Sequence, residues 1–178
     1  MKRCLVFVGI MFAVCSTVLV AQGPALKANQ IIGTWKQNMA KSTYNPGPPP
    51  QMVSGSVRQY AAGADGAIVA ITININPEGL PSLGAVSAAN YDGTEYAQHT
   101  LATLATSLGS HIGPKIDRTI SYKPIDPYTV EIVQKEDGQV VSASTRTISR
   151  DGKTLTERFK FNNAQGQLVT NVLVFEKQ

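Results

Sequence analysis

Thiols are nearly missing from this chain of 178 residues: its two cysteines, Cys4 and Cys15, both sit in an apolar run at the start. With that run removed, neither a disulfide nor a thiolate metal site can form. Histidine is equally scarce. His99 and His111 are the only two, and they make no HExxH-type pair, so no metal is expected. Lysine and arginine are scattered singly without a cluster, which argues against a nucleic-acid or anionic-membrane partner. The chain also lacks a Gly-x-Ser-x-Gly elbow, a Ser-x-x-Lys arrangement, a Walker loop and a dinucleotide fingerprint. Neither a catalytic nucleophile nor a nucleotide cofactor is therefore assigned. Acid–base chemistry would require carboxylates such as Asp117, Asp126, Glu131 and Glu157 to meet in space, and all four are expected to be solvated at the surface.

The one long hydrophobic run follows Lys2 and Arg3, extends from Leu5 to Ala21 and ends at Gln22-Gly23-Pro24. A basic start, an apolar middle and a small-residue exit form the layout of a secretory signal. About 17 apolar residues is the low end of what spans a bilayer, and Val14 stands where acylation of Cys15 would need a small residue. A cleaved signal over residues 1–23 is thus favoured over an anchor or a lipoprotein. The expected product is a single domain over 24–178, periplasmic or extracellular, monomeric and without stable membrane insertion. Loss of Lys2 and Arg3 lowers the formal charge from +4 to +2. Without disulfides such a domain depends on its core, and about 150 residues bury roughly 68–70% of their unfolded surface.

Residues 45–51 (Asn-Pro-Gly-Pro-Pro-Pro-Gln) exclude helix and predict an extended surface connector. Beyond them, runs rich in Val, Ile, Thr, Phe and Tyr alternate with tight-turn signals: Asp65-Gly66, Asp92-Gly93, Asp137-Gly138, Asp151-Gly152 and Gln165-Gly166. Several runs have period two. In Ile71-Thr72-Ile73-Asn74-Ile75-Asn76 isoleucines oppose polar residues, and Leu155, Glu157, Phe159 and Phe161 oppose Thr154, Thr156, Arg158 and Lys160. Strands are predicted over 33–37, 52–60, 67–75, 84–91, 94–97, 116–123, 128–135, 139–149, 154–161 and 167–176. So many short strands hide their edges best by closing. The fold class is all-β, an antiparallel meander closing into a barrel of about 8–10 strands. Leu101, Leu104 and Leu108, followed by Gly109, add one short amphipathic helix near 96–109, a packed connector or a lid.

Gly33-Thr34-Trp35-Lys36 opens the domain, and Trp35 is the sole tryptophan. Its expected role is to plug one end of the core. A Gly-x-Trp at the start of an antiparallel meander resembles the lipocalin and fatty-acid-binding-protein superfamily, the calycins. The longer segments Gly33 to Ser42, Tyr44-Asn45-Pro46-Gly47-Pro48, Tyr91-Asp92-Gly93, Asp151 to Thr156 and the Phe175-Glu176-Lys177-Gln178 end resemble exported bacterial lipocalin-like proteins of unassigned function. The resemblance implies a barrel that encloses a small apolar or amphipathic ligand. Fatty-acid-binding proteins hold a carboxylate with Arg-x-Tyr on the last strand, but Leu173 and Phe175 occupy those positions here, so that device is lost. Candidate lining residues are Trp35, Tyr60, Tyr91, Tyr122, Arg146 and Phe159. The alternative is a structural or protein-interaction barrel with a filled core.

Overall fold

A computed structural model describes residues 28–47, 54–100, 117–162 and 166–178. A single turn of helix, α1 (Ala28–Ile31), leads into β1 (Gly33–Gln37), β2 (Thr43–Asn45), β3 (Gly55–Ala62), β4 (Ile68–Ile75), β5 (Pro81–Ala89) and β6 (Glu95–His99). Then come β7 (Arg118–Asp126), β8 (Thr129–Glu136), β9 (Gln139–Ile148), β10 (Thr154–Asn162) and β11 (Leu168–Lys177). Every pairing is antiparallel. From β3 to β11 each strand pairs with the next, and β1 joins β3 to β11. The result is a closed barrel of ten strands, with no edge exposed along the seam.

All ten predicted strands are present, most within a few residues of their expected ends. β2 is an addition, a short strand beside the N-terminal half of β11 through Thr170↔Asn45 to Val172↔Thr43. Strand β6 continues to His99, which takes the first turn of the predicted helix into the sheet. The rest of that helix, residues 101–109, lies outside the described residues, as do residues 1–23 of the predicted signal and residues 48–51 of the proline segment. The five tight-turn glycines, Gly66, Gly93, Gly138, Gly152 and Gly166, all have positive φ, the backbone state for which their glycines were read.

The registers place the turns at two opposite ends. One end, here the base, carries the β3–β4, β7–β8 and β9–β10 turns. It is filled by a cluster of Ile31, Trp35, Tyr60, Ile68, Ile148, Leu155 and Phe175. Trp35 is fully buried, and its indole N–H donates to the Ile31 carbonyl at 2.8 Å, so α1 caps the base while the ring fills it. A second cluster, Ala89, Ile120, Tyr122, Val130 and Ile132, packs along the opposite wall. The other end is the mouth. Among the described residues, Leu80, Val140, Val141, Phe161 and Leu168 lie there as exposed large apolar side chains.

On β4 the polar parity faces inward. Thr72 and Asn74 line the interior, whereas Val69 and Ile71 line a shallow depression on the outer wall. The barrel is therefore dry at its base and polar through its middle.

Candidate functional site

The polar middle is organised around Glu157. On β10 this residue shares a face with Leu155 and Phe159, and the register sets it directly opposite Arg146 on β9. Arg146 Nε donates to Glu157 Oε2 at 3.0 Å. The same oxygen accepts a hydrogen bond from Arg58 Nη1 on β3. Ser144 Oγ donates to Oε1 at 3.0 Å. All three charged residues are almost fully enclosed, with exposures of 8% for Arg58, 5% for Arg146 and 3% for Glu157.

Burial alone would raise the Glu157 carboxyl, but the charges of Arg146 and Arg58 and their hydrogen bonds overcome it and hold the pKa down to about 2. Burial is the largest influence on the two guanidinium groups and would lower their pKa values, yet the Glu157 carboxylate together with the neighbouring tyrosines, Tyr60 at both and Tyr91 and Tyr122 at Arg146, outweighs it and raises both. All three groups are thus charged at neutral pH. Aromatic faces support the cations: Arg58 lies 4.4 Å from the Phe175 ring centre, and Arg146 lies 5.2 Å from that of Tyr60 and 5.7 Å from that of Tyr122. Tyr91 stacks on Tyr122 with ring centres 4.7 Å apart, and its hydroxyl accepts from Arg146 Nη1 at 3.5 Å. Burial pushes both phenols up, so they stay neutral.

Beside this cluster lies a cavity of about 210 Å³, bounded by Arg58, Arg146, Glu157, Tyr60, Tyr122 and Phe159 together with amide and hydroxyl side chains. Gln134 donates to Gln98 at 3.1 Å across its wall, and Ser87 and Tyr122 share a hydrogen bond of 3.4 Å. A second chamber of about 280 Å³ lies toward the mouth and shares Arg58, Thr72, Asn74 and Phe159 with the first. Phe161 and Leu173 make its far wall more apolar. From the outer chamber to the ion cluster the described lining thus grows from more apolar to charged.

Four of the six candidate residues, Tyr60, Tyr122, Arg146 and Phe159, meet around the inner cavity. Tyr91 backs them through its stack and its bond to Arg146. Trp35 belongs to the base cluster and not to the cavity lining. Asp117 and Glu131 are exposed and Asp126 is half-buried, but Glu157 corrects the expectation of a solvated carboxylate, because its strand parity turns it inward. Arg58 and Glu157 were missed as site residues. The signal was available: Arg58 alternates in phase with Ser56 and Tyr60, and Glu157 with Leu155 and Phe159. His99 is exposed on β6, His111 lies outside the described residues, and no metal-ligand cluster occurs among the described residues. Leu173 borders the outer chamber, and Phe175 lies beneath Arg58.

No protein-family model and no curated protein matches the chain.

Proposed function

We propose that this chain is an exported, lipocalin-like binding protein whose barrel receives a small amphipathic molecule through the mouth. The observation that carries this reading is the order of surfaces along the barrel axis. An apolar rim leads to a chamber bordered by Phe161 and Leu173, then to a hydrogen-bonding cavity beside Arg58, Arg146 and Glu157. Apolar walls remove ligand surface from water at about 25 cal/mol per Å², while a few fixed polar groups set orientation. The size of the inner cavity constrains the ligand. A pocket of about 150 Å³ accommodates benzene, so about 210 Å³ suits a compact group and not a long folded chain. A filled-core structural barrel would leave no such space beside its ion cluster.

The experiment is native mass spectrometry of the protein purified from its exported compartment. The expected result is a co-purifying small molecule that dissociates on denaturation and is absent from an Ala85→Leu variant, whose added side chain fills the inner cavity. A barrel that carries nothing and takes up nothing from an extract of that compartment would end the binding reading.

A further inference from the structure

The interior charges do not balance. Arg58 and Arg146 carry one positive charge each and share a single carboxylate, Glu157. The other ionisable side chains around the cluster, Tyr60, Tyr91 and Tyr122, are phenols. Among the described residues no second acidic side chain lines either chamber. One positive charge is thus in excess in a region shielded from water, where an unmatched ion is costly. Cation–π contacts from Tyr60, Tyr122 and Phe175 relieve part of that cost but supply no counter-charge.

A second observation points the same way. Arg58 Nε is buried with no hydrogen-bond partner among the described residues, although guanidinium donors in protein interiors are normally satisfied. Arg58 borders both chambers, and a guanidinium presents its donors as a planar fork suited to two oxygens. Both Arg58 and Arg146 reach Glu157 through its Oε2 atom, so one carboxylate oxygen serves two cations.

Building on the binding reading above, we infer that the ligand is a small monoanion whose oxyanion head lies in the inner cavity against Arg58 and Arg146. Its single charge completes a two-cation, two-anion set. The amides of Gln98 and Gln134 and the hydroxyl of Ser87 serve polar substituents next to the head. Carboxylate, sulfonate and singly charged phosphodiester groups share this chemistry, whereas a neutral lipid or an amine does not.

Three isosteric probes separate charge from shape: benzoate, benzamide and benzamidinium, titrated calorimetrically into the purified chain at pH 7. Benzoate is expected to bind at least tenfold more tightly than benzamide, and benzamidinium not at all. Arg58→Met leaves the Arg146–Glu157 pair intact and should bring the benzoate-to-benzamide ratio near one. Glu157→Gln adds a second excess charge, so the ratio should rise, and phenylphosphonate, titrated at a pH above its second ionisation where it is a dianion, should overtake benzoate. Because the two variants move selectivity in opposite directions, one of them suffices if the other does not fold. Equal binding of benzoate and benzamide by the unmodified chain would overturn the charge inference while leaving the binding barrel standing. If neither these probes nor any co-purified molecule binds, both fall.

Discussion

Glu157 Oε2 accepts from Arg146 Nε at 3.0 Å, and it is also the atom that Arg58 reaches from β3. One carboxylate oxygen therefore ties three strands of the barrel wall together, and its removal has consequences in both stability and pH response.

Replacing Glu157 by Gln retains the shape but strands two buried cations. Breaking a buried ion pair from one side typically costs about 3–5 kcal/mol, and the retained amide hydrogen bonds place this variant near the lower figure. Urea denaturation should show a loss of about 3 kcal/mol. A change below about 1 kcal/mol would mean that water or an ion already screens the cluster.

The same carboxylate sets an acid response. Its pKa is about 2 in the folded chain, against 4.5 in its ordinary state. Its stabilisation is complete above the unfolded value and is lost as pH falls from about 4.5 toward 2. Integrated over that shift the loss is on the order of 3 kcal/mol. Surface carboxylates such as Glu95 and Glu176, held low by Lys135 and Lys41, add to the wild-type curve. The difference between wild type and Glu157→Gln isolates the buried group, so the two denaturation midpoints should draw together as pH falls below about 4.5 and meet only near pH 2.

Trp35 belongs to the base, so Trp35→Phe should separate stability from binding. The substitution removes the 2.8 Å bond to the Ile31 carbonyl and leaves a void, a combined cost of about 2 kcal/mol. Uptake of benzoate should change by less than twofold. As the sole tryptophan and a fully buried one, Trp35 should also emit in the blue and resist iodide quenching until the barrel unfolds.

Asp137 and Gly138 both have positive φ, 47° and 80°, in the two-residue turn between β8 and β9. Nothing lies within 4 Å of a Cβ built on Gly138, so Gly138→Ala tests backbone strain alone. A loss of about 1 kcal/mol in a thermal melt is expected, with no change in probe binding.

Ten strands were legible because period-two runs and Asp-Gly turns are local signals, written within a few residues of each other. β2 was not, since its three residues pair with β11 from far along the chain and carry no turn of their own. The candidate site was half legible. Arg146 stood out among uncharged neighbours, and Tyr60, Tyr122 and Phe159 sat on inward parities. Glu157 was assigned to solvent by its residue type, although its alternation with Leu155 and Phe159 already placed it inside. Once an arginine is expected within a barrel, a carboxylate in phase with apolar neighbours is the natural counter-ion to look for. On β4 the period of two marks two faces without saying which is inner, and Thr72 and Asn74 occupy the interior because it is polar there.

The seam between β1 and β11 bonds Trp35 opposite Lys177, and the Gln178 amide donates to the Thr34 carbonyl. β11 is thus the strand that shuts the cylinder, and until it docks β1 and β10 each expose an open edge. Ring closure over most of the sequence is slow compared with hairpin formation, so a nascent chain lingers as an unsealed ribbon. In that interval its unpaired edges are most open to pairing with another copy of the chain.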